Sequence, residues 1–288
     1  MRRDVTSALE SCADRLGSAE RVLVGAGAGM SIDAGIDYSD RKAFRERFPA
    51  MVRRGFSAQV ELIGYDEWTP EVKWGYLALA LEQSLRRLGR AEVYERLGSL
   101  LAKVSSFVLT SNVDGLFARN GFDPERIFTP QGSSSLLQCM KPCTSETWPV
   151  GPVLDKLLPL IDPVTQEVTD SRAIPSCPRC GGDLFLNVRA GRWFVEAPYV
   201  GQSRRFREWV SEASRHDLLV LEIGAGFNTP GVVRGTCEAI VAGSPRAFFA
   251  RVNPSDSQLP RSIRDRSVSI PLGARAFVDW MMESRVDS

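Results

Sequence analysis

Residues 22–38, VLVGAGAGMSIDAGIDY, constrain the fold of this chain more than any other stretch. Val22, Leu23 and Val24 form a short apolar run of buried-strand character that leads straight into Gly25, Gly27 and Gly29. Glycines at such a turn let the backbone approach a ligand closely. A helix starting just beyond them turns unpaired N–H groups and positive dipole character toward a pyrophosphate. The third glycine of a GxGxxG fingerprint is missing, because Ser31, Ile32 and Asp33 follow Met30. Taken alone the match is weak, and an ordinary strand-to-helix turn competes with it.

With 288 residues, 43% of them hydrophobic, the chain can bury one large domain or a main domain with a smaller attachment. Its 36 basic and 35 acidic residues leave a net charge of +1, so it lacks the basic field that draws proteins to nucleic acid. Residues 1–17 turn acidic and polar where a signal peptide needs an apolar run. No stretch is apolar for long enough to span a bilayer, so no membrane partner is expected. Six cysteines, four of them in two close pairs, suit a reduced compartment and a metal better than a disulfide framework. The expected location is cytoplasmic.

Strand-like and helical patterns alternate along the chain, which predicts an α/β fold: a Rossmann-type, doubly wound, mainly parallel sheet. A helix over 6–17 precedes the first strand. Strands at 104–110 and 126–129 end in Ser111, Asn112, Val113 and Asp114, and in Pro130, Gln131 and Gly132. After a helix at 204–215, the strand 217–223 opens into a second glycine turn, Gly224, Ala225, Gly226, Phe227, Asn228. Strands at 246–252, ending at Asn253, and 267–270 follow, and a helix over 274–282 closes the pattern. Ligands of open α/β sheets lie outside the carboxyl ends of the strands, so Asn112, Asp114 and Gln131 are expected on the rim that carries the first glycine turn. Helix capping is the competing role for Asp114. Residues 40–103 read as a helical insertion, 136–189 as a zinc-binding module, and 1–39, 104–135 and 190–288 as the sheet domain.

Cys139 and Cys143, then Cys177 and Cys180 in CPRCGG, match a structural tetrahedral zinc site. Four thiolates leave no open coordination position, so the metal is expected to hold a module together and not to catalyse.

In this order the motifs resemble the sirtuins, NAD-dependent enzymes with a Rossmann-type domain and a small zinc ribbon. Gly27, Ala28, Gly29, Ser31, Ala34, Gly35 and Ile36 match the family's first glycine motif. Thr110, Ser111, Asn112, Val113, Asp114 and Gly115 match its TQNxDG signature with Ser for Gln. The cysteine pairs match the ribbon, and Gly224, Ala225 and Gly226 with Asn253 match positions on the adenosine side. Two departures matter. Gln131 and Gly132 stand where a sirtuin deacylase has its catalytic His followed by Gly, and Asp37, Tyr38 and Ser39 replace the usual Pro and Phe-Arg residues. The segments IDYS, SNVDG, LQCMKPC, LNVRAGRWFVE and IGAGFNTPG resemble class M sirtuins, microbial relatives associated with macrodomain proteins, which transfer ADP-ribose to protein.

The resemblance implies that NAD binds along Ala26, Gly27, Ala28, Ser31, Asp37, Tyr38, Gly224, Ala225, Gly226, Asn228 and Asn253. Asn112, Asp114 and Gln131 would act on the nicotinamide ribose, and Arg189 in LNVR would guide the acceptor. It also implies an acceptor protein such as a lipoylated carrier, and a macrodomain hydrolase as a partner. Deacylation needs a base that titrates near neutrality, as imidazole does, whereas a glutamine amide offers only hydrogen bonds. ADP-ribosyl transfer is therefore the expected activity. A residual lysine deacylase and a non-catalytic NAD sensor are the alternatives.

Overall fold

The computed structural model describes residues 2–284. It divides into two compact units, the first built from segments up to Gly35, Arg90–Gln131 and from Pro198 on, the second from Ile36–Gly89 and Gly132–Ala197. The strands in chain order are β1 (Arg21–Ala26), β2 (Ser105–Thr110), β3 (Ile127–Phe128), β4 (Gly132–Cys139), β5 (Trp148–Pro149), β6 (Leu184–Val188), β7 (Leu218–Ile223), β8 (Phe248–Val252) and β9 (Ser267–Ile270). The helices are α1 (Arg2–Ser18), α2 (Ala28–Ile32), α3 (Arg41–Arg47), α4 (Pro49–Arg53), α5 (Pro70–Leu81), α6 (Glu92–Leu101), α7 (Leu116–Arg119), α8 (Gly151–Leu157), α9 (Val200–Ala213), α10 (Arg234–Gly243) and α11 (Ala274–Glu283). Among the described residues no helix is long and apolar enough to cross a membrane.

In the first unit six strands pair in the order β3-β2-β1-β7-β8-β9. All neighbours are parallel. The order runs outward in opposite directions from β1 and β7, which makes their junction the topological switch point where such sheets take ligands. β7 is buried along its whole length, as a parallel strand covered on both faces should be. The Arg21↔Leu218 to Ala26↔Ile223 register ends both strands at one level, so the turns that follow them emerge side by side. Leu23, Phe107, Leu109, Val220 and Phe249 pack with Phe206 and Trp209 of α9 and Cys237 and Val241 of α10. Each such side chain contributes about 1.5–3 kcal/mol through burial.

The second unit carries an antiparallel sheet ordered β5-β4-β6, which the sequence patterns did not announce. The GSSSLLQC segment of β4 loses strict alternation because the register shifts between Ser133 and Leu137, and that erases the two-residue period. The expected three-part division also differs from these units. Residues 90–103 belong with the parallel sheet, while the rest of the helical segment shares a core with the cysteine-bearing segment. A crossing at Gly75 explains the sharing, since a Cβ there would lie 2.1 Å from the Gln166 carbonyl oxygen. Gln166 itself holds φ at 55°, a conformation rare outside glycine. Its side chain accepts from Ala50 N at 3.0 Å and donates to Arg47 O at 2.8 Å, tying the loop to the junction of α3 and α4.

Candidate active site

The two glycine turns of the first unit interlock. Gly27 N donates to Ile223 O and Gly29 N to Gly224 O, each at 3.0 Å. A Cβ on Gly27 would stand 2.5 Å from Ala225 Cα, and one on Gly224, which sits at φ 64°, would stand 2.6 Å from Gly29 Cα. These glycines therefore serve backbone-to-backbone packing first, and their own N–H groups are already spent. Ala28 and Gly226 beside them are exposed, while Ala26 and Ala225 are buried.

Beneath the first turn lies a buried polar network. Ser31 Oγ donates to Asp114 Oδ2 at 2.6 Å and accepts from Asn112 Nδ2 at 2.9 Å. Tyr94 OH is 3.1 Å from the same oxygen. Asn112 Nδ2 also donates to Gly27 O at 3.0 Å, so both of its hydrogens are committed and what it offers outward is Oδ1. Thr110 fixes the loop, donating through Oγ1 to Ala26 O and accepting from Asn112 N, both at 3.0 Å. Asp114 Oδ1 caps α7 by accepting from Leu116 N at 2.9 Å, so the capping role and membership of the network coexist. Burial pushes the Asp114 carboxyl above its ordinary range, offset in part by the bonds from Ser31 and Leu116 and by Arg119.

Gln131 is half-buried at the end of the segment leaving β3, on the same edge of the sheet as Asn112, since Leu109 and Phe128 pair. That segment is anchored by Thr129, whose N and Oγ1 donate to Gln202 Oε1 at 3.0 and 3.2 Å. Asn253 is buried and committed to the second turn. It donates to Ala225 O at 3.0 Å and accepts from Ser255 N and Asp256 N at 3.0 and 2.8 Å. Asn228 lies exposed after Gly226. His216 precedes β7 at its amino end, opposite to the rim, with Nε2 2.7 Å from Glu212 and Nδ1 3.4 Å from Glu20.

Asp37, Tyr38 and Arg189 belong to the second unit. Asp37 Oδ1 accepts from Ser39 N at 2.8 Å and from Ser39 Oγ at 2.6 Å. Tyr38 is 40% exposed. Arg189 follows β6, pairs with Glu196 and lies 4.4 Å over the Phe194 ring. The loop bearing Arg189 is clamped from below by two buried amides. Asn187 Nδ2 donates to Gln138 Oε1 at 2.6 Å and to Val195 O at 3.0 Å, and Gln138 Nε2 donates to Trp193 O at 2.7 Å.

The four expected cysteine ligands converge in the same unit, their sulfurs all within 4.8 Å of one another. Cys139–Cys180 and Cys143–Cys177 are each 3.6 Å apart. Tetrahedral bonds of about 2.3 Å set sulfur–sulfur edges of about 3.8 Å, so this donor set fits a structural zinc ion.

Sequence reasoning missed three contributors. Tyr94 sits in a helix read as part of an insertion, yet α6 packs on α11 in the sheet unit and turns Tyr94 inward. A buried tyrosine hydroxyl needs a partner, and that was the one signal available. Gln202 gave no signal. Arg234, 5% exposed, donates to Ala225 O and Asp256 O at 2.9 Å and so holds the second turn.

No family model matches the chain. A protein from Fusarium oxysporum f. sp. cubense, named a probable bifunctional ADP-ribose hydrolase/ADP-ribosyltransferase, is 35% identical over 274 residues, which is 93% of this chain and 43% of that protein. The chain thus spans less than half of that relative. A protein ADP-ribosyltransferase from Staphylococcus aureus is 25% identical over 88% of this chain and 80% of its own length. Among solved structures, a Sir2 homologue in complex with NAD superposes with a TM-score of 0.61 over 96% of this chain and 94% of its own, and at 16% identity that likeness speaks to the fold. Fold and site define a Rossmann-type α/β protein with a four-thiol module. Within that class the chain has the fold of the Sir2 homologues, and its sequence is similar to those of ADP-ribosyltransferases and of NAD-dependent protein deacylases.

Proposed function

We propose that this chain is an NAD-dependent protein ADP-ribosyltransferase of the class M sirtuin type, acting in the cytoplasm on an acceptor such as a lipoylated carrier protein. One observation carries the reading. Gln131 occupies the rim position where a deacylase needs an imidazole, and the only histidine in the sequence, His216, lies at the opposite end of β7. The names of the Fusarium and Staphylococcus relatives support it. The first of those names joins hydrolase and transferase in one protein, which favours a macrodomain hydrolase as a partner.

The residues suit the dinucleotide. With the Gly27 and Gly29 amides spent, the backbone at Ala28, Ala225 and Gly226 is left to receive a pyrophosphate. Asn253 acts by holding that turn on the adenosine side, with Asn228 beside it. Bound NAD supplies a glycosidic bond whose cleavage releases nicotinamide and leaves an electrophilic ribosyl carbon. Asn112 Oδ1 and the Asp114 carboxylate stabilise positive charge there, and Ser31 keeps both groups in place. Gln131 donates and accepts hydrogen bonds to the ribose hydroxyls without removing their protons. The acceptor side chain forms its bond to carbon as the bond to nicotinamide breaks, and its proton passes to solvent. Asp37 and Tyr38 are assigned to the dinucleotide and Arg189 to the acceptor.

The test offers labelled NAD, a lipoylated carrier and an acetyl-lysine peptide to wild type, Asn112→Ala and Gln131→Ala. Label on the carrier with an intact peptide supports transfer. Brisk peptide deacylation, or NAD binding without nicotinamide release, overturns it.

A further inference from the structure

We propose that Phe227 is the platform on which the adenine ring stacks, an inference that rests on the NAD reading above. A dinucleotide lying across a switch point places one nucleoside over each half of the sheet. Asn112, Asp114 and Gln131 follow β2 and β3, so the nicotinamide side is assigned to that half. The adenosine side then falls over β7 and β8, where Phe227 follows the second glycine turn directly.

Phe227 is 61% exposed, and an isolated exposed apolar residue needs no functional explanation. This ring, however, is held on one side. The Arg234 guanidinium carbon lies 4.3 Å from its centroid. Arg234 is in turn immobilised, 5% exposed and bonded to Ala225 O and Asp256 O at 2.9 Å. One face of the ring is therefore fixed on a cation and the other is open to solvent. A cation behind an aromatic ring draws electron density from it, which improves its match to an electron-rich purine on the open face. The Arg234 contact orients the ring, which lowers the ordering cost of receiving a base.

The experiment titrates wild type, Phe227→Ala and Phe227→Tyr with ADP-ribose and, separately, with nicotinamide mononucleotide, which carries ribose and phosphate but no adenine. Phe227→Ala is expected to weaken ADP-ribose roughly tenfold, leave the mononucleotide unchanged and raise KM for NAD more than it lowers kcat, while Phe227→Tyr keeps wild-type affinity. Unchanged ADP-ribose affinity in Phe227→Ala overturns the proposal. Equal weakening of both ligands overturns it too, because that marks a collapsed turn. If wild type binds neither ADP-ribose nor NAD, the NAD reading itself fails, and the two failures are told apart.

Discussion

The Tyr94 hydroxyl and Ser31 Oγ lie 3.1 Å apart in a buried contact joining positions 63 residues apart in the chain. The single Ser31 hydrogen goes to Asp114, so Tyr94 must be the donor in this pair. Burial and the nearby Asp114 charge push the Tyr94 pKa up, so the proton needed for that role stays in place.

Tyr94→Phe removes one of the two donors that reach Ser31 Oγ and leaves the bond from Asn112. Losing one buried hydrogen bond costs about 0.5–1.5 kcal/mol. We expect nicotinamide release to slow by about tenfold at saturating NAD, with KM nearly unchanged, because the Asn112–Asp114 geometry loosens while the glycine turns persist. Steady-state kinetics check this. A KM effect without a kcat effect would place Tyr94 in binding instead.

On the proposed reading, Asp114 is expected to set an acid limit on activity. Its carboxyl is raised above the ordinary value of 3.8, mainly by burial, so it protonates sooner as pH falls, and activity is expected to decline above the pH expected of a free aspartate. Stability runs the other way. Between the unfolded and the raised native pKa the native state binds more protons, so stability falls as pH rises through that window. Asp114→Asn is expected to abolish transfer and remove this slope, read by comparing unfolding free energies of the two proteins across the window.

Metal content should be one zinc per chain, lost in Cys177→Ser and kept in Cys12→Ser and Cys237→Ser, whose thiols are buried in the core away from the cluster. Chelation is expected to melt the second unit at lower temperature, seen as a separate transition by calorimetry.

Glu222 and Arg251 face each other across β7 and β8, bonded at 2.6 and 3.0 Å and almost fully buried. Burial raises the Glu222 carboxyl, against the pull of Arg251 and Arg234. Arg251→Met strands that carboxylate and is expected to cost about 3–5 kcal/mol by urea unfolding, with partial recovery in the double variant with Glu222→Gln.

The parallel sheet was legible because its strands are short apolar runs that end in glycine or in polar residues, as in DLLVLEI before Gly224. The place of Asn112 and Asp114 on the rim of the first glycine turn followed from putting those strand ends on one edge, and the cysteine cluster followed from spacing, whereas their bonds to Ser31 carry no sequence signal. What stayed hidden depends on contacts between distant segments. Tyr94 meets Ser31 only because α6 packs beside α11, and Gln166 crosses Gly75 in a loop that carries no pattern. Glu222 and Arg251 each interrupt an apolar strand, and only the register of β7 with β8 makes them partners. β4 was obscured by its serines and its irregular pairing.

The contact of Gly27 and Gly29 with Gly224 and Ala225 bears on how such a chain can be rearranged. The two sides of that joint come from distant parts of the chain, yet neither tolerates even a methyl group where they touch. A chimera whose crossover falls between them inherits half of a mated pair, and it should fail unless the donor shares the same backbone path at both places.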